Sequence, residues 1–150
     1  MAGFHHYGRV VSDIDAALAF YRDQLGFEEI VTEDLTGVEI EAQVGLSDVE
    51  LRVVMLTRGP GGPMLELLHY RRPPSPPGAR TPRPQNELGS DHMCILVDDI
   101  NAEYERLLAA GVQFTSPPQY VGAGHFEGDW CVFCLDPDGL TVELWQAATR

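Results

Sequence analysis

Phe4-His5-His6-Tyr7-Gly8-Arg9-Val10-Val11-Ser12-Asp13-Ile14-Asp15-Ala16 and Asp91-His92-Met93-Cys94-Ile95-Leu96-Val97-Asp98-Asp99-Ile100-Asn101-Ala102 are one pattern written twice. A shift of 86 positions carries His6 onto His92, Val11 onto Val97, Asp13 onto Asp99, Ile14 onto Ile100 and Ala16 onto Ala102. An internal repeat of this kind fixes the architecture before any other reading. The far ends of the halves repeat as well. Gly62-Pro63-Met64-Leu65-Glu66-Leu67 matches Gly139-Leu140-Thr141-Val142-Glu143-Leu144 at a shift of 77, so the second half is more compact. Each half thus offers one His near its start and one Glu near its end. Two imidazoles and two carboxylates are a ligand set suited to a divalent metal.

Outward from these stretches, each half reads as β-α-β-β-β. Residues 4–11 alternate as a strand that places His6, Gly8 and Val10 on one face and His5, Tyr7 and Arg9 on the other. Ser12 is expected to cap the following helix, with Asp15 completing a capping box. Ile14, Ala17, Leu18, Tyr21 and Leu25 form its apolar stripe, and Gly26 ends it. Strands are expected over 27–31, 51–57 and 64–70, with a turn over 58–63; residues 32–50 are acidic and weakly patterned. In the third of these strands Glu66 shares a face with Met64 and Leu68, where an ionised carboxylate needs a partner. In the second half a strand over 92–97 leads to a helix capped by Asp99, with Ile100, Tyr104, Leu107 and Leu108 as its buried stripe and Gly111 at its end. Strands over 112–115, 130–135 and 140–146 follow, the last two joined by the β-turn Asp136-Pro137-Asp138-Gly139.

Residues 71–90 hold six of the eleven prolines and four of the ten basic residues. Such a stretch is neither a helix nor a central strand. It reads as a spacer between a first module (1–70) and a second (91–150). The alternative is a flap whose Arg71, Arg72, Arg80 or Arg83 meets an anionic ligand. Cys131 and Cys134 form a C-x-x-C, but residues three apart on a strand point to opposite faces, which argues against a zinc or redox pair. His125 lies in a glycine-bearing loop and reads as a solvated residue; the alternative is an acid or base over the metal. His69 reads as a plain strand residue.

Composition narrows the partners. A formal charge of -13 argues against nucleic acid or an anionic membrane as the main partner. Hydrophobic and charged fractions of 44% and 22% are those of a soluble globular protein. No apolar run spans a bilayer and no secretory signal is visible, and an odd cysteine count fits a reducing cytoplasm.

The chain resembles the vicinal oxygen chelate superfamily, which includes glyoxalases, methylmalonyl-CoA epimerases, extradiol dioxygenases and bleomycin-resistance proteins. The resemblance is carried by His6 to Asp13 with Ala19-Phe20-Tyr21-Arg22-Asp23-Gln24-Leu25-Gly26-Phe27. It continues in His92 to Ile100 with Ala109-Ala110-Gly111-Val112, and in Asp136-Pro137-Asp138-Gly139-Leu140-Thr141-Val142-Glu143-Leu144. It implies an α+β fold in which paired βαβββ modules form an open, cup-like barrel of mixed sheet. It also implies a divalent metal (Ni, Co, Zn, Mn or Fe) held by His6, Glu66, His92 and Glu143. In metal-dependent isomerases, epimerases and lyases of this kind the metal stabilises an enolate of a small oxygenated substrate, and Glu66 or Glu143 would act as base. The glutathione-binding Arg expected four residues after the first ligand is Val10 here. The epimerase pattern asks for a further Glu before residues 51–57, near which Glu39, Glu41 and Glu50 lie. Alternatives are an Fe(II) extradiol-type dioxygenase using His6, His92 and Glu143, and a non-enzymatic drug-binding protein. A homodimer is the common assembly of such chains, with the cup formed within one chain or by exchange between two.

Overall fold

The computed structural model describes residues 3–76 and 82–149. The chain divides into two compact units, Met1–Ala79 and Arg80–Arg150. Each is built on a four-stranded mixed sheet, so the α+β class and the two-module plan stand.

In the first unit the order is β1 (His6–Val10), α1 (Ile14–Leu18), a π-helical turn (Ala19–Gln24), β2 (Glu28–Thr36), α2 (Val38–Val44), β3 (Glu50–Thr57) and β4 (Met64–Arg72). The sheet order is β1-β4-β3-β2, with β1 parallel to β4 and the other pairs antiparallel. Alternation divides the sheet into two faces. Leu65, Leu67, Val54 and Leu56 are buried on the face that also carries Arg9, and Val11, Ile14, Ala17, Phe20 and Tyr21 are buried with them. Arg9 is only 3% exposed. Its guanidinium donates to the Tyr21 hydroxyl and lies over the rings of Tyr7 and Tyr21. Arg9 is thus a core cation on the helix side of the sheet, away from His6.

Several expectations change here. Asp13, not Ser12, caps α1: its carboxylate accepts from the backbone N–H of Asp15 and Ala16. Asp99 does the same for Asn101 and Ala102 at the start of the second unit's helix. The helix after Asp13 widens into a π-turn, closed by Leu25 N–H to Phe20 C=O and Phe27 N–H to Tyr21 C=O. Gly26, at φ 72°, then turns the chain in the left-handed region. The weakly patterned acidic stretch holds most of β2 and all of α2. Ile40 and Val44 of α2 pack with Leu35, Val49, Leu51, Val53, Met55, Leu68 and Tyr70 in a second apolar cluster. By alternation this cluster covers the Glu66 face of the sheet. β4 runs two residues past the expected module boundary. Arg71 and Arg72 are tied back to the first unit, Arg71 to Asp34 at 3.3 Å and Arg72 to Glu50 at 2.7 Å, and so are not flap residues. Arg80 lies outside the described residues.

The second unit runs β5 (His92–Leu96), α3 (Ile100–Ala109), β6 (Gln119–Tyr120), β7 (Trp130–Leu135) and β8 (Thr141–Gln146), in the sheet order β5-β8-β7-β6. Again the first and last strands are parallel. The strand expected over 112–115 is reduced to a single bridge between Phe114 and Cys134, and a short β6 forms between it and β7. Leu108 is 45% exposed instead of buried, leaving Ile100 and Leu107 to anchor α3. The turn after β7 is held as expected: Asp136 accepts from the N–H groups of Asp138 and Leu140. Gln85 of the proline-rich segment donates to Thr141 Oγ1 at 2.9 Å.

Two outcomes follow from this packing. Asp13→Ala and Asp99→Ala should each lower unfolding free energy by about 1 kcal/mol, whereas Ser12→Ala should stay within roughly 0.5 kcal/mol of the parent in urea titrations. Cys134 is fully buried on one face of β7 while Cys131 lies on the other. Treatment with diamide should therefore leave these two thiols unbridged in intact-mass measurements, and a Cys131–Cys134 disulfide in folded protein would contradict the register.

Candidate functional site

In the first unit His6 stands opposite Met64 and Gly8 opposite Glu66 across the parallel β1–β4 pair. In the second His92 stands opposite Thr141 and Cys94 opposite Glu143 across β5–β8. Each His and its Glu are therefore diagonal neighbours on one sheet face, at the same offset in both units. Diagonal Cβ atoms are about 7–8 Å apart, a span that a His and a Glu side chain reaching toward each other can close. They do so: His6 Nε2 is 3.4 Å from a Glu66 carboxylate oxygen, and His92 Nε2 is 3.3 Å from one of Glu143.

The four predicted ligands are thus brought together as two pairs, one per unit. Among the described residues no three His, Cys, Asp or Glu side chains form a metal-holding group. Each pair alone offers two ligands. The pair distances of 3.4 and 3.3 Å are compatible with two donors sharing one ion. Two donors about 2.1 Å from one ion stand roughly 3.0 Å apart at a right angle and roughly 3.4 Å apart at the tetrahedral angle. A direct charge-assisted hydrogen bond would instead close to about 2.7–2.9 Å.

Local surroundings orient each pair. The Nδ1 atoms of His5 and His6 are 2.7 Å apart, so one imidazole donates to the other, and His6 directs Nε2 to Glu66. His5 precedes β1 and does not turn to the opposite face as alternation predicted. The second unit handles this differently, since the ring of His92 meets Phe133 edge-on with centroids 5.2 Å apart. At Gly8 a Cβ would stand 3.2 Å from a Glu66 carboxylate oxygen and 3.4 Å from Leu68 Cδ1, so the absence of a side chain gives Glu66 its place. The equivalent position in the second unit is Cys94. Burial of the sheet face and then the Glu143 carboxylate push its thiol up to about 12. Cys94 is therefore a neutral thiol beside Glu143 at physiological pH, poor as a nucleophile.

Glu143 is 8% exposed, on the face it shares with Thr141, Trp145 and, on the adjacent strand, Phe133. Trp145 is oriented by Asp129, which accepts from its indole N–H at 2.9 Å and from the Ala148 N–H at 2.8 Å. The Phe126 ring meets Trp145 edge-on at 5.4 Å, and His125, exposed as expected, meets Phe126 at 4.9 Å. Sequence reasoning singled out His125 but passed over Phe126, Asp129 and Trp145. For Trp145 the signal was the alternation of β8, which puts it on the Glu143 face. The other candidates have structural work. Glu41 accepts from the Val49 N–H, Glu50 is paired with Arg72, and His69 meets the Val11 carbonyl.

Comparison with known proteins agrees with this fold. A family model described as the Glyoxalase/Bleomycin resistance protein/Dioxygenase superfamily matches residues 3–144. A protein from Actinomyces named 2-epi-5-epi-valiolone epimerase is 31% identical over 145 residues, 93% of this chain and 76% of the relative. A crystal structure of a glyoxalase family protein from Bacillus cereus superimposes with a TM-score of 0.85 at 20% identity, covering 99% of this chain and 96% of that one. The trypanothione-dependent glyoxalase I of Leishmania major gives 0.65 at 20% identity, over 97% and 87% of the two chains. These two structures bear on the fold. With the repeated modules and the match over nearly the whole chain, the protein belongs to the Glyoxalase/Bleomycin resistance protein/Dioxygenase superfamily.

Proposed function

We propose that the protein is a metal-dependent epimerase acting on a small ketone, in which His6, Glu66, His92 and Glu143 together hold one divalent ion. The observation that carries this reading is the His–Glu pair built twice at the same register and the same 3.3–3.4 Å spacing. A catalytic ion takes three or more protein ligands, so two pairs complete one another, from one chain or from two copies of it. The 31% identical relative that is named an epimerase supports the reaction type, and its substrate's name denotes a ketone.

Inverting a centre beside a carbonyl requires a proton to leave carbon and return on the other face. A bound divalent ion would supply Lewis-acid stabilisation of the charge that builds on the carbonyl oxygen. The rest falls to this chain. Glu66 and Glu143 are the groups able to take the proton and give it back, a role worth roughly 10²–10⁴ in rate. Met64 and Leu68 flank Glu66 on its own sheet face, and Phe133 and Trp145 flank Glu143 on its face, which limits competing water at the carboxylates. The imidazoles of His6 and His92 hold the carboxylates in place. Val10, where glutathione-using members carry Arg, favours a substrate without the tripeptide. The net charge of -13 favours a neutral substrate over an anionic one.

Metal analysis tests the ligand set. One ion per chain is expected. His6→Ala and His92→Ala should each weaken binding by more than the roughly 10–100-fold that loss of an outer partner costs. Two ions per chain, with one retained in each variant, would sink the shared site, and tight ligand binding without any metal would sink the enzymatic reading. In D2O the metal-loaded protein should exchange the proton next to the carbonyl of a bound ketone. Whichever of Glu66→Gln or Glu143→Gln removes the base should slow that exchange by about 10² or more. Gly8→Ala should displace Glu66 and lower metal affinity severalfold, with little change in unfolding free energy.

A further inference from the structure

We infer that Phe126 and Trp145 form an aromatic subsite for the face of a polyhydroxylated ring, which makes the substrate a cyclic polyol ketone. The inference rests on the epimerase reading for the position of the reacting carbon. Its own evidence is independent and lies wholly in the second unit.

Trp145 is two residues from Glu143 on the same strand face, a separation of about 6.6 Å along β8. That is the scale of one six-membered ring with its substituents. Trp145 does not present a hydrogen-bond donor there, because its N–H is already given to the buried carboxylate of Asp129. What remains is the apolar body of the indole. Phe126 extends the surface. It meets Trp145 at 5.4 Å with ring planes 80° apart, yet leaves 52% of its own surface in solvent. A large aromatic left exposed beside a fixed one is a feature of binding walls more than of packing.

The loop that carries Phe126 is not loose. Val121 N–H bonds Asp129 C=O, Gly128 N–H bonds Val121 C=O, and Asp129 N–H bonds Phe126 C=O. Gly128, at φ 98°, allows the tight return, and a Cβ there would press within 3.2 Å of Ala148. Phe126 is therefore held out by closed backbone geometry, with Asp129 serving both the loop and Trp145 as a positioning residue. The exposed His125 meets Phe126 edge-on at the rim, where its ring nitrogens can meet ring hydroxyls. Aromatic faces bind the C–H side of a polyol ring while its hydroxyls stay hydrated or bonded at the edge. A short acyclic ketone covers less of the two rings, and an anionic one meets the Glu143 carboxylate and the acidic chain.

The test compares two neutral ketones on the metal-loaded protein by titration calorimetry and tryptophan fluorescence: scyllo-inosose, a pentahydroxycyclohexanone, and dihydroxyacetone, which has no ring. The parent should bind scyllo-inosose at least tenfold more tightly than dihydroxyacetone, with a change in Trp145 emission that persists in Trp130→Phe. Phe126→Ala, a change at an exposed loop position, should narrow that ratio to about twofold, and Trp145→Phe should reduce it less than Trp145→Ala. A parent without ring preference, or a preference unchanged in Phe126→Ala, overturns the subsite. The two readings fail separately. Ring binding that depends on Phe126 without proton exchange keeps the subsite and removes the epimerase. Exchange with no dependence on Phe126 does the reverse.

Discussion

The parallel pairing of the first and last strand of each module is the constraint from which the site follows. Parallel strands cannot be joined by a short turn, so a crossover must intervene, and here it contains a helix and two further strands. That connection buries one face of β4 through Leu65 and Leu67 and one face of β8 through Val142 and Leu144. The opposite face is left to carry the residues between them, Glu66 and Glu143. The pairing also sets the register. Slipping it by one residue would turn His6 or His92 to the helix side and place Tyr7 or Met93 where the imidazole belongs. The sheet thus fixes where each His and Glu backbone stands, and side-chain rotamers complete the pair.

The two modules share the pair and differ in what surrounds it. In the first, α2 lays Ile40 and Val44 against Leu51, Val53, Met55 and Leu68, so Glu66 borders an aliphatic cluster. In the second, no such helix is present among the described residues, and the loop between β6 and β7 brings Phe126 to Trp145 instead. Gly8 gives Glu66 space where Cys94 crowds Glu143. Side chains of Glu66 and Glu143 are accordingly 22% and 11% exposed. Duplication produced two equivalent carboxylates, and their different neighbours make them chemically distinct. In the proposed epimerisation, that distinction would let one carboxylate take the proton and the other return it.

What could be read in the chain before its structure was known depended on whether a residue's signal was local or borrowed. The repeat, the Asp136 turn and the apolar strands 51–57 and 64–70 are local signals and were legible. The repeat also singles out His6, Glu66, His92 and Glu143, whereas their pairing within each unit comes from the strand register. The cap was misplaced by one residue at Ser12, although Asp99 and the repeat together pointed to Asp13. β2 was cut short because the strand is exposed at eight of its nine positions, so its sequence shows no alternation. α2 was missed because it is seven residues long, starts after Gly37 without a side-chain cap and buries Ile40 alone. His5 defeated the alternation rule by lying before the strand. Phe126 and Asp129 depend on contacts with a residue 16 or more positions away, which no local pattern reports.

A His–Glu pair on a sheet can serve structure alone, and that possibility has to be weighed on the geometry. A pair selected for stability would close to hydrogen-bonding distance and sink into the core, where its attraction is least screened. These pairs do neither: the contacts stay at 3.3–3.4 Å and the imidazoles are 39% and 41% exposed on their side-chain surface. A surface pair of that exposure contributes little to folding, yet the carboxylate partner is held half-buried or better on a strand whose adjacent positions are apolar. The arrangement costs desolvation of a carboxylate without recovering it in a short contact. In the proposed metal-bound form, a divalent ion between nitrogen and oxygen would recover that cost.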